Sequence, residues 1–93
     1  MKKYSLLIKG KNLKVNIGGK TCRHGFFTTR YIEADNGSEA KRIAINLIEQ
    51  ELGPSLLNDS ADSPRFLFEE VLEVEKFDGR EVPGAGFTWF EEN

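Results

Sequence analysis

In this 93-residue chain, one stretch repeats its apolar residues with the period of a helix, and the segments around it mostly alternate in twos. Ala40, Ile43, Ala44, Leu47, Ile48 and Leu52 follow the i, i+3, i+4, i+7 spacing. Lys41, Arg42, Asn46, Glu49 and Gln50 fall on the other faces. Both ends are punctuated. Asn36, with Glu39 three residues on, has the form of a capping box, and Ser38 is an alternative N-cap; either side chain can accept from an otherwise unpaired backbone N–H. Gly53 suits a left-handed position just past the helix, and Pro54 cannot extend it. A single helix of this length is about 22 Å long and about 10 Å across, which limits how much sheet it can cover.

The flanking segments read as strands. Tyr4 to Ile8 and Leu13 to Ile17 alternate, and Gly10-Lys11-Asn12 between them predicts a hairpin. Gly18-Gly19 ends the second run, Lys20 to Gly25 is polar and reads as a loop, and Phe26 to Ala34 favours a third strand before Asp35-Asn36-Gly37-Ser38 breaks it. After the helix, residues 55 to 65 form a polar, flexible loop, with room for one helical turn at Ser55 to Leu57. Phe66 to Phe77 is a strand whose Glu69-Glu70 pair marks either a bulge or a charge-protected edge. Asp78-Gly79 turns the chain, Pro83 to Gly86 prolongs the connection, and Phe87 to Phe90 is a last strand. The expected fold is a single α+β domain over residues 1–93, in the order βββαββ: a mainly antiparallel sheet of about five strands with one amphipathic helix on one face.

Five strands at about 4.8 Å spacing are some 20 Å wide or more, so a lone helix leaves part of the sheet uncovered. The later strands carry apolar residues of both parities, and Phe27, Tyr31, Val71, Phe77, Trp89 and Phe90 exceed what that helix shelters. The 55–65 loop, curling of the sheet or a second copy of the chain must cover them, which points to a homodimer or a protein partner.

Composition narrows the classes without naming a reaction. Apolar residues at 39% and charged residues at 30% exclude a disordered or fibrous chain. Apolar runs of two or three residues exclude a membrane-spanning helix. The apolar stretch after Lys2-Lys3 ends at Lys9, too short for a secretory signal, and the single Cys22 cannot form an internal disulfide; both agree with a cytoplasmic setting. Charge is segregated. Residues 1–30 carry eight Lys or Arg and no acid, while residues 43–93 carry three bases against twelve acids. This predicts either an anion-binding face or basic and acidic strands lying side by side, and the second is ordinary sheet chemistry.

Few residue patterns suggest chemistry. Cys22 and His24, two apart on an extended segment, are the elements of a thiolate–imidazolium pair, but no third group orients them in the sequence. One Cys and one His fall short of a structural zinc set, so no metal, cofactor or catalytic residue is expected. Glu69, Glu70, Glu73 and Glu75 read as a solvated face. Gly18-Gly19-Lys20-Thr21 lacks the spacing of a phosphate-binding loop. The run His24 to Tyr31 shares about half its positions with the aromatic strand of RNA-recognition motifs. It lacks the small residue and central aromatic, and it precedes the helix instead of following one, so no family is assigned. The expectation is therefore a small non-enzymatic binding domain, self-associating or protein-binding, through Lys20, Arg23, Phe27, Arg30, Tyr31, Trp89 and Phe90. Nucleic-acid binding by the basic and aromatic N-terminal strands is the alternative, because positive charge beside stacking surface is the physics of single-strand recognition.

Overall fold

The computed structural model describes residues 1–92. Strand β1 (Lys2–Ile17) and strand β2 (Lys20–Ala34) form a long ribbon; helix α1 (Gly37–Leu52) and a 3-10 turn (Gly53–Ser55) follow, then strands β3 (Arg65–Val74) and β4 (Thr88–Glu91). All neighbours in the sheet are antiparallel, in the order β3-β1-β2-β4. The α+β class and the one-helix arrangement agree with the sequence, but the described residues form four strands, in the order ββαββ.

The difference lies in residues 10 to 25. The expected hairpin at Gly10-Lys11-Asn12 is a bulge inside β1: Gly10 faces Phe26 and Leu13 faces His24, so one extra residue is absorbed, with Asn12 at φ 61°. The bulge switches parity. Tyr4, Leu6 and Ile8 are even and Leu13 and Val15 are odd, yet all five are buried on one face because the extra residue lies between them. Lys20 to Gly25, expected as a loop, is the first half of β2, paired through Ile17–Lys20, Asn16–Thr21 and Lys14–Arg23. The reversal occurs at Gly18-Gly19, whose φ values of 63° and 82° are those a two-residue turn between twisted strands requires.

Helix α1 begins at Asn36, whose Oδ1 accepts from the Glu39 N–H at 2.9 Å. Its stop departs from expectation: Gly53 is right-handed (φ −41°), donates to the Glu49 carbonyl, and leads into the 3-10 turn with Pro54 at its start. Ala40, Ala44, Ile48 and Leu52 are buried against Tyr4, Leu6, Ile8, Leu13, Val15, Phe26, Ile32 and Ala34. Each large residue in that layer contributes about 1.5–3 kcal/mol of burial. In β3 the register jumps from Ile8–Phe68 to Leu7–Glu70, leaving Glu69 unpaired, so the acid pair marks a bulge on an edge strand. Beyond Lys11, where β3 ends, the connection after the helix takes over the β1 edge: the Leu57 N–H donates to the Lys14 carbonyl at 2.9 Å, and the Lys14 N–H to Asn58 Oδ1 at 2.8 Å. Among the described residues, no helix is long and apolar enough to cross a membrane.

Candidate functional site

The sheet has a face under α1 and an open face, and the residues singled out from the sequence divide between them. On the open face Leu67, Lys9 and Phe27 lie in one cross-strand row. Phe90 lies next to Phe27, their ring centres 5.6 Å apart, and the Lys9 Nζ is 5.4 Å from the Phe27 ring centre and 5.8 Å from that of Phe90. Phe90 rests on Gly25, its cross-strand partner; a Cβ there would come within 2.4 Å of the ring. With Leu67 43% exposed, Leu72 47% and Phe27 38%, and with Leu7 half-buried between them, this face carries an apolar stripe. A recess of about 350 Å³ opens between Leu7, Phe27, Thr29 and the Ala85–Thr88 backbone. Toward the other end, Tyr31 is covered by Phe77, ring centres 5.7 Å apart, and by Arg80, whose Nη1 donates to the Tyr31 hydroxyl at 3.2 Å.

Arg30 and Trp89 lie on the face under the helix. Arg30 is fully buried. Its Nη1 and Nη2 donate to the two carboxylate oxygens of Glu51, the second at 3.0 Å, and its Nε donates to Thr28 Oγ1 at 3.0 Å. Thr28 Oγ1 in turn donates to the Gly86 carbonyl at 2.8 Å, and the guanidinium is 5.2 Å from the Phe87 ring centre. Arg30 thereby ties the end of α1 to β2 and to the strand-entry segment 84–87, and its hydrogen bonds hold the Glu51 carboxyl below the usual range. Trp89 is half-buried, 5.6 Å from Phe26 and edge-on to His24 at 6.2 Å.

The remaining bases do not converge. Lys20 is exposed, with Nζ 3.9 Å from Glu91 Oε1. Arg23 shares an open recess with Lys11, Asn12 and Arg65, where Asp62 and Glu92 offset the positive charge. The basic ribbon is flanked by the acid-bearing strands β3 and β4, and Lys3 meets Glu33 at 3.6 Å.

One cluster brings a new residue to a pair visible in the sequence. Cys22 and His24 share a face of β2, and the β2–β4 register places Glu91 opposite His24. The Cys22 Sγ lies 3.3 Å from Glu91 Oε1, 3.8 Å from His24 Nδ1 and 3.9 Å from His24 Nε2. His24 is buried, and its Nδ1 is 3.0 Å from the Cys22 carbonyl oxygen, which fixes that nitrogen as the N–H donor. Burial, aided by the Glu91 hydrogen bond and charge, pushes the Cys22 thiol up, the opposite of what an activated nucleophile needs. Sequence reasoning missed Glu91 because its place depends on a pairing between residues 67 apart. Comparison of the chain with protein-family models, with curated protein sequences and with solved structures gives no match.

Proposed function

We propose that the chain is a small non-enzymatic interaction domain whose open sheet face packs against the same face of a second copy. The observation that carries this reading is the apolar stripe of Leu7, Leu67, Leu72, Phe27 and Phe90, opposite the helix-covered core. Four strands at about 4.8 Å and some eight residues at about 3.3 Å make a face of roughly 19 by 26 Å. That is about 500 Å², below the roughly 800 Å² per partner of a standard interface and in the range of weak, transient contacts, so the dimer is concentration-dependent and not obligate. Charge favours a two-fold arrangement. Lys9 stands one row from Glu70 on the same face, so an antiparallel pair of copies brings the lysine of each toward the glutamate of the other.

Sedimentation equilibrium from low micromolar to millimolar protein tests it. The unaltered chain shifts toward twice its mass, and Phe27→Glu stays at 10.5 kDa with its helix content intact. A single-chain mass throughout overturns self-association. The second reading, single-stranded nucleic acid on the same face, has the exposed Phe27 beside Lys9 in its favour. Saturable, salt-sensitive binding of mixed oligonucleotides by a monomeric chain is the result that would select it.

A further inference from the structure

We propose that Cys22, His24 and Glu91 form a binding site for a zinc-class divalent cation that pins the short terminal strand β4 to β2. The three side chains offer one sulfur, one nitrogen and one oxygen ligand, and these atoms all lie within 4.8 Å of one another. For a tetrahedral ion with a Zn–S bond near 2.3 Å and Zn–N or Zn–O bonds near 2.1 Å, neighbouring ligand atoms stand about 3.6 Å apart. The two separations that involve the sulfur bracket that value, with Sγ to Oε1 at 3.3 Å and Sγ to His24 Nε2 at 3.9 Å, and the nitrogen–oxygen pair lies within 4.8 Å, so a small side-chain adjustment closes the triad on an ion.

The surroundings of His24 strengthen the assignment. Ligating histidines commonly donate the other ring N–H to a carbonyl or carboxylate, which fixes the tautomer and the ring orientation. Here Nδ1 stands 3.0 Å from the Cys22 carbonyl oxygen, leaving the Nε2 lone pair to the ion, and Trp89 packs edge-on against the ring. The mixed donor set selects among cations. Sulfur and imidazole favour zinc, cobalt and their neighbours over calcium or magnesium, which take oxygen ligands. Among the described residues, no fourth Cys, His, Asp or Glu joins the cluster, so water or a group from outside the chain completes the tetrahedron. On binding, the Cys22 thiol gives up its proton to solvent and its sulfur becomes an anionic ligand; Glu91 exchanges its 3.9 Å contact with Lys20 for the ion.

Strand β4 is four residues long and pairs with His24 to Phe27 only, so a bond from Glu91 to an ion held by Cys22 and His24 fastens its end. Titration of the metal-free full-length chain with Co²⁺ tests the site. The expected result is one equivalent bound, with a thiolate-to-cobalt charge-transfer band and tetrahedral d–d bands, both abolished by competing Zn²⁺ and absent with Mg²⁺. Cys22→Ser should weaken Zn²⁺ binding by at least about 100-fold, at or beyond what loss of a supporting contact costs, and Glu91→Gln should weaken it while leaving the charge-transfer band. In the unaltered chain Zn²⁺ should slow amide exchange at Phe90 and Glu91. Both residues lie at the edge of the core, Cys22 opposite Val15, and far-ultraviolet dichroism checks that both variants fold. Absence of the charge-transfer band, or Zn²⁺ affinity equal in Cys22→Ser and the unaltered chain, overturns the site.

Discussion

Two aromatic rings in this domain are seated in the same way on opposite faces of the sheet. On the helix side Phe26 lies over Gly10, its cross-strand partner; on the open side Phe90 lies over Gly25. A Cβ at Gly10 would come within 2.1 Å of the Phe26 ring, and one at Gly25 within 2.4 Å of the Phe90 ring, so each glycine is the floor of an aromatic seat. The roof is what differs. Phe26 is fully buried, with Phe87 at 4.8 Å and Trp89 at 5.6 Å. Phe90 is half-buried, and its neighbours on the open side are the exposed Phe27 and the Lys9 ammonium. The same local device builds a core where Phe87 and Trp89 close over the ring and leaves an exposed apolar surface where, among the described residues, no helix covers it.

The largest test of that contrast is to remove each ring. Phe26→Ala deletes a ring closed in on all sides, and such a change typically costs about 3–5 kcal/mol, a large share of the stability of a chain this short. Phe90→Ala exposes Gly25 but leaves no closed cavity, so its cost should stay near 1 kcal/mol. Urea unfolding of the two variants as dilute monomers measures both. Equal losses would mean that the open face matters as much to the monomer as the closed one, and the comparison would fail.

An intermediate effect belongs to the closed face alone. Arg30 is buried and Glu51, about one-third exposed, is its charge partner. Glu51→Gln keeps the shape but leaves the guanidinium facing a neutral amide, at a cost of about 1–2 kcal/mol after allowance for solvent at the carboxylate. The pH dependence has a definite sign. The folded-state pKa of Glu51 lies below its ordinary value of 4.5, so its stabilisation is complete above that value and disappears as the pH falls through the lower folded one. Unfolding measured from neutral pH downward should therefore show the unaltered chain and Glu51→Gln converging in acid. A gap that persists at low pH would remove the ion pair as its cause.

How much of this was written in the sequence follows from the range of each interaction. The helix was legible because its period, its Asn36 cap and its Gly53-Pro54 boundary are local, although Gly53 turns out to be right-handed. The surplus of apolar residues on the late strands was also legible, since counting needs no register; their division was not. Val71 and Trp89 pack against the core while Phe27 and Phe90 face outward; the side of Val71 rests on the bulge at Glu69, which flips the parity of β3 beyond it, and the sides of Phe27, Trp89 and Phe90 rest on the β1–β2–β4 registers. Gly10-Lys11-Asn12 resembled a turn because bulges and turns draw on the same residues, and the true reversal at Gly18-Gly19 looked like a strand end. Arg30 resembled a surface base because its partner, Glu51, lies on the helix 21 residues away, and Glu91 joined Cys22 and His24 only through strand pairing across the length of the chain.

The smallest expected effect discriminates most between the two readings of the open face. Lys9→Met keeps most of the stem across Leu7, Phe27 and Phe90 and removes only the ammonium, whose exposed contact with two rings is worth about 0.5–1 kcal/mol. Monomer stability should hardly move, because the thioether replaces part of that contact. Association should respond more. In a face-to-face dimer the variant removes the partner of Glu70 on the second copy, so self-association weakens, and added salt, which screens that pair, narrows the difference from the unaltered chain. A face that binds single-stranded nucleic acid instead loses a phosphate contact, so oligonucleotide binding weakens and shows a shallower salt slope. Sedimentation of Lys9→Met moves in the first case and oligonucleotide titration in the second, which separates the two occupants of one surface.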